Sequence, residues 1–171
     1  MNKVLVLGAG MVVRAHVRYL LDHDFRVTVA SLIESEAEDM IGGRPNGVAR
    51  RLDITTEPER LASMVAEHDA VVSLLPWQFH PQVARVCLDA GRHMVTSSYV
   101  KDEMRALDAE ARAKGIMLFN ELGVDPGLDH KTAMKVIHRI QAEGGTITTF
   151  QYNCGGLPAP EANDNPIGYK F

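Results

Sequence analysis

Cysteine is scarce in this 171-residue chain: only Cys87 and Cys154 are present, without C-x-x-C spacing. Two thiols so placed exclude a disulfide framework and a zinc site. Long hydrophobic runs are missing as well, and the longest, Val4 to Val13, is too short to span a bilayer. A basic excess is also absent. The chain carries 18 Lys+Arg against 22 Asp+Glu, a formal net charge of −4, whereas a nucleic-acid binder normally shows a basic stripe. Lys3 ahead of the apolar run imitates a secretory signal, but Arg14, His16 and Arg18 follow where a small-residue cleavage site would stand. The chain therefore reads as cytoplasmic. There is no internal repeat at solenoid spacing, and the histidines show no spacing that suggests a metal.

What is present is globular material, with 46% hydrophobic and 23% charged residues, enough for a core and against low-complexity disorder. Short apolar runs alternate with amphipathic segments. Strands are expected at Val4–Leu7, Phe25–Ala30, Val48–Ile54, Ala70–Leu75, His93–Thr96, Ile116–Phe119 and Thr146–Tyr152. Between them lie expected helices at 11–22, Glu34–Met40, Glu57–His68, His80–Ala90, Lys101–Lys114 and His130–Ala142, several of them closed by glycine. Near-continuous apolar strands alternating with helices predict a doubly wound α/β domain, with a parallel sheet covered on both faces. From Cys154 to Phe171 no periodic segment survives.

Gly8-x-Gly10 stands directly after a strand and before a helix, the context that the Rossmann dinucleotide fingerprint requires. Gly8 permits the turn, Gly10 lets a pyrophosphate approach the backbone, and the helix N-terminus points its amide hydrogens at it. The third glycine of the fingerprint is replaced by Val13, which implies looser or differently aligned helix packing. A glycine turn that binds nothing is the alternative. No acid stands at the end of the second strand, where an NAD enzyme usually grips the ribose; Ser31 and Leu32 occupy it. Arg14 and Arg44 are candidates from elsewhere for an NADP 2′-phosphate, but each reads more readily as a solvated surface charge. Three polar-rich strand ends should gather at one edge of the sheet: Ser73 to His80, Thr96 to Tyr99, and Asn120 to Gly127.

These segments resemble the saccharopine dehydrogenase family, glutamate-forming type. The matching stretches are Val4–Arg14, Val72–Pro76, Met94–Val100 and Asn120–His130. The most specific is Cys154-Gly155-Gly156-Leu157-Pro158-Ala159-Pro160-Glu161, continuing from Asp164 to Phe171. The resemblance implies a Rossmann-like domain over residues 1–129. Residues 130–171 would be the truncated start of an α+β substrate and dimerisation domain, and the protein a homodimer. It also implies NADP-linked oxidation of the secondary amine of saccharopine, a step of lysine metabolism. Carried over by position, Gly8, Ala9, Gly10, Met11 and Val12 would hold the pyrophosphate. Ser31 and Leu32 would lie by the adenosine 2′ position and Asp53 and Ile54 near the adenine. Ser73, Leu74 and Leu75 would line the nicotinamide side, with Trp77 close by. Ser98, Tyr99, Asp125 and Cys154 would face the substrate.

That chemistry needs a group to take the proton of the secondary ammonium and one to manage the attacking water. Asp125 is the first candidate, as a partly desolvated carboxylate has its pKa raised; a turn or cap before Pro126 is its structural alternative. Tyr99 and Cys154 would donate hydrogen bonds or orient water, although a free cysteine is usually a small buried residue. His80 and His130 read as structural. Two departures stand out. The family usually has Arg where Leu32 stands, which leaves NAD open beside NADP. Its members also run well beyond Phe171, so the arginines expected to bind substrate carboxylates largely lie outside, and turnover by the 171-residue chain is expected to be poor or nil. A reductase of another amino-acid or polyamine imine and a non-catalytic dinucleotide-binding or interaction module are the competing readings.

Overall fold

Leu5 and Leu7 alternate with Val4 and Val6 along the first strand, and all four are buried. A strand with both faces apolar must lie in the middle of a covered sheet. In the computed structural model, which describes residues 2–153 and Glu161, this strand is β1 (Lys3–Leu7). It sits between β2 (Arg26–Ser31) and β4 (Ala70–Ser73). With β3 (Gly47–Arg51), β5 (His93–Thr96) and β6 (Leu118–Phe119) the strands run in the order β3-β2-β1-β4-β5-β6, every pair parallel. Chain order reverses between β1 and β4, which makes their carboxyl ends the switch point where such sheets take ligands.

The crossovers are α1 (Val13–Asp22), α2 (Glu34–Ile41), α3 (Pro58–Ala66), α4 (His80–Ala90), α5 (Asp102–Arg105) and α6 (Asp108–Lys114). One core cluster joins Leu5, Leu7, Leu61, Val71, Val83 and Met94; another joins Val4, Val6, Val13, Val17, Val27 and Val29. The doubly wound parallel sheet expected from the alternation is therefore present. Val13 is 1% exposed, so α1 fits its side chain into the sheet where the fingerprint would have a third glycine.

Several boundaries differ from expectation. The helix read over 101–114 is broken into α5 and α6. Asp102 and Glu103 open the first, and Asp108 and Glu110 open the second, two acidic starts that each favour a helix N-terminus. β3 stops at Arg51, short of Ile54. Next to it the Asp53 carboxylate accepts hydrogen bonds from the Thr55 amide and hydroxyl, at 2.9 and 2.6 Å, and so turns the chain. β4 stops at Ser73; Leu74 still donates to the Leu7 carbonyl, and Pro76 has no amide hydrogen to continue. Residues 146–152 form no ladder with the described residues, so the strand expected at Thr146–Tyr152 is not among the elements seen there.

The chain divides into two compact units, Met1–Leu128 and Asp129–Phe171. In the second, α7 (Leu128–Ala142) turns Ala133, Ile137 and Ile140 partly inward and leaves Met134 and Val136 exposed. The Tyr152 hydroxyl donates to the Asp129 carboxylate at 2.7 Å. No helix among the described residues is long and apolar enough to cross a membrane.

Candidate functional site

The turn after β1 can be made only by glycine. Gly8 has φ +105°, and a Cβ there would lie 2.9 Å from the Leu74 carbonyl oxygen. Its amide donates to the Ala30 carbonyl at 2.8 Å, pulling the turn across the end of β2. At Gly10 a Cβ would meet nothing among the described residues within 4 Å, so no described atom fills the space in front of it. Among the described residues no side chain caps the N-terminus of α1, and Met11 and Val12 are 100% and 82% exposed. Uncapped amide hydrogens at a helix N-terminus facing open space suit a pyrophosphate.

Beside this turn lies a cleft of about 270 Å³ that brings together Gly8, Ser31, Leu32, Asp53, Ile54 and Leu75. Its size and largely apolar walls fit an adenosine. Phe79 and Thr55 also line it; neither stands out in the sequence, because Phe79 reaches the cleft only through the short 3₁₀ turn Trp77–Phe79. The Ser31 hydroxyl accepts from the Ile33 amide at 3.4 Å and lies 3.5 Å from the Glu36 carboxylate, an acid beside the end of β2 that the strand-end pattern did not reveal. Leu32 is 59% exposed. Arg14 donates to the Asp39 carbonyl and Arg44 pairs with Asp22, so both cations considered for a 2′-phosphate are engaged elsewhere. The register sets Arg51 opposite Ser31, and Arg51 pairs with Glu57 at 3.1 Å. Thr55's hydroxyl, and then its amide, hold the Asp53 carboxyl below the usual range.

Leu74 and Leu75 point to opposite sides of the strand end, as successive strand residues do. Leu75 lines the adenosine-sized cleft, and Leu74 lines a second one of about 390 Å³ with Val12, His16, Thr96, Ser97 and Asp125. The three polar strand ends meet here. Glu121, at φ +63°, donates its amide to the Ser98 carbonyl at 3.1 Å, and its carboxylate accepts the Val100 amide at 3.1 Å. The Tyr99 hydroxyl donates to Asp125 Oδ1 at 2.6 Å. Lys101 lies 5.4 Å from the ring centroid of Trp77 and so links the turn after β4 to the loop after β5.

Two expectations need correcting. Ser73 is fully buried and touches His80 at 3.0 Å; it supports the site from below and does not line it. Asp125 is exposed, so the partial desolvation expected for its carboxylate is not seen. Cys154 lies outside the described residues. A larger cleft of about 470 Å³ lies at the opposite edge of the sheet, lined by Lys3, Arg26, Asn46 and His68 among others. It holds no part of the fingerprint, and strand-end chemistry decides the site, not cleft size.

Two histidines of this region are hard to protonate. Burial lowers the pKa of both His16 and His80, and His16 Nε2 is buried without a hydrogen-bond partner among the described residues. Below the ordinary value of about 6.5, the unfolded chain binds these protons and the folded chain resists them, so stability rises with pH across that window. The thermal midpoint is therefore expected to fall as pH drops from about 7.5 to about 5.5, with a shallower slope in His16→Leu. A midpoint that climbs on acidification would contradict the assignment.

A glycine turn at the switch point, with an adenosine-sized cleft on one side and a second cleft on the other, is the arrangement of a dinucleotide-binding domain. Residues 4–119 match the saccharopine dehydrogenase NADP binding domain model and residues 123–171 the saccharopine dehydrogenase C-terminal domain model. The chain belongs to the saccharopine dehydrogenase family. It is 44% identical over 170 residues to saccharopine dehydrogenase [NADP(+), L-glutamate-forming] of Pyricularia oryzae, covering 99% of this chain and 38% of that protein. It is 42% identical over 171 residues to the mitochondrial alpha-aminoadipic semialdehyde synthase of Bos taurus, covering 99% of this chain and 18% of that one. The apo saccharopine dehydrogenase (L-Glu forming) structure from Saccharomyces cerevisiae superposes with a TM-score of 0.85 at 38% identity, over 100% of this chain and 38% of that chain. The chain thus spans well under half the length of these relatives.

Proposed function

We propose that this chain forms the NADP-binding region and part of the substrate region of a glutamate-forming saccharopine dehydrogenase. The reaction converts saccharopine, NADP⁺ and water to glutamate, 2-aminoadipate 6-semialdehyde, NADPH and a proton. The observation that carries the reading is that the open glycine turn and the Tyr99–Asp125 hydrogen bond stand at the same edge of one sheet. NADP, when bound, takes the hydride from the carbon of the C–N bond. Gly8 to Val12 hold the pyrophosphate. Ser31 and Leu32 lie by the adenosine 2′ position, and Asp53 and Ile54 by the adenine. Leu74, with Ser73 behind it, borders the nicotinamide side, and Leu75 closes the adenosine side. Ser98 and Tyr99 orient the substrate, and Asp125 takes the proton of the secondary ammonium. Tyr99 and Cys154 belong to the same proposal as hydrogen-bond donors or water-orienting groups.

A fluorescence titration with NADPH and, separately, NADH tests this, with Trp77 as the energy donor. Saturable binding with NADPH preferred supports the reading. Leu32→Arg is expected to tighten NADPH about tenfold and leave NADH nearly unchanged, because a charge-assisted bond to phosphate contributes about 1.5–3 kcal/mol. Binding of neither nucleotide by a folded sample would remove the proposal.

Residues 130–171 are read as the start of a substrate and dimerisation domain, supported by the family match over 123–171. Exposed Met134, Val136, Phe150 and Tyr152 support a homodimer; sedimentation at micromolar concentration checks it, and a monomer would refute it. Cytoplasmic placement is part of the same proposal, and fractionation decides it, since one relative is named as mitochondrial.

A further inference from the structure

The imidazole of His80 joins hydroxyls from two neighbouring strand ends. Its Nδ1 lies 3.0 Å from Ser73 Oγ at the end of β4. Its Nε2 lies 2.8 Å from Ser98 Oγ and 3.0 Å from Thr96 Oγ1, beyond and at the end of β5. His80, Ser73 and Thr96 are 2%, 0% and 1% exposed; Ser98 is half-buried and is the outermost member, next to Tyr99. We propose that His80 is a positioning residue: anchored by Ser73, it holds the hydroxyl of Ser98 in one orientation just beyond the end of β5. This rests on the reading of Ser98 as a substrate-facing group.

Three features favour positioning over simple filling. Burying an imidazole and two hydroxyls costs stability unless each is paired, so an apolar side chain would fill the same volume more cheaply. The network runs outward, from the fully buried Ser73 to the half-buried Ser98 beside Tyr99. Thr96 Oγ1 also accepts the Ser98 amide at 3.3 Å, so Ser98 is held on its backbone as well as on its side chain. His68 is the useful contrast. It is 6% exposed and also paired on both nitrogens, but with the Met64 carbonyl and Thr28, and it lines the cleft at the far edge of the sheet. Without the imidazole, Ser98 regains its choice among staggered rotamers.

Asn and Gln separate the two ends of the ring, because Asn reproduces the Nδ1 position and Gln the Nε2 position. Three-bond couplings about χ1 of Ser98 are expected to report one rotamer in the wild type and in His80→Gln, and averaging in His80→Asn. If His80→Asn does not fold, His80→Leu, which fills the same space without offering an Nε2 position, is expected to average the same couplings. With NADP bound, saccharopine affinity should fall about tenfold in His80→Asn, a loss of about 1.4 kcal/mol. NADPH affinity should stay within about twofold, and adding His80→Asn to Ser98→Ala should change nothing further. An unchanged Ser98 rotamer in His80→Asn, or equal losses in the Asn and Gln variants, overturns the proposal. If the rotamer result holds while the wild type binds no saccharopine, the functional reading falls and the positioning role stands.

Discussion

Replacing Gly8 with alanine is expected to destabilise the chain by about 2–4 kcal/mol and to weaken NADPH binding at least tenfold. The backbone at Gly8 sits at φ +105°, and its new Cβ would stand 2.9 Å from the Leu74 carbonyl oxygen and 3.2 Å from the carbonyl carbon. Neither contact partner is a flexible side-chain end, so β1 and β4 must separate at the switch point. Gly10→Ala is the matching control. Its Cβ meets no atom of the described residues within 4 Å, so stability should change by less than about 1 kcal/mol, while the methyl group enters the space that the proposed pyrophosphate site needs. Urea unfolding and the NADPH titration, run on both variants, separate the two effects. A Gly8→Ala protein of wild-type stability would show that the turn is not the constraint described here. A Gly10→Ala protein with wild-type affinity would show that the dinucleotide does not approach the turn.

Leu5→Ala is expected to cost about 2–5 kcal/mol. Leu5 is 0% exposed on the central strand and belongs to the core cluster with Leu61, Val71 and Val83. Both neighbours of β1 are hydrogen-bonded strands, which leaves little freedom for the sheet to collapse into the vacated volume. Domains of this kind have a total stability of about 5–15 kcal/mol, so the loss should bring the unfolding midpoint down sharply. The transition slope should stay the same, because the unfolded surface hardly changes. A loss under about 1 kcal/mol would mean that the site relaxes, contrary to its place in the sheet.

The glycine turn was legible because strand, Gly-x-Gly and helix are contiguous, and each residue's part follows from local backbone geometry. His80–Ala90 was read with its observed bounds, since Gly91 closes it in the left-handed conformation. The His80 network was not legible. Ser73, His80, Thr96 and Ser98 are scattered over 26 residues, and a histidine at a helix start is read locally as structural. Glu36 beside Ser31 was missed for a related reason: its side chain reaches back from the first turn of α2 to the strand end.

Local composition by itself determined the parallel, doubly covered sheet, the glycine turn and the edge where a ligand would sit. Apolar period, turn residues and caps act over a few neighbouring positions, so they can be read without knowing the fold. Only the tertiary structure decided that Ser73 is buried under the site, that Leu74 and Leu75 serve different clefts, and that Arg14 and Arg44 are already engaged. Those outcomes depend on which strands become neighbours and in what register. Register is set by packing across the whole sheet, so no single segment carries it.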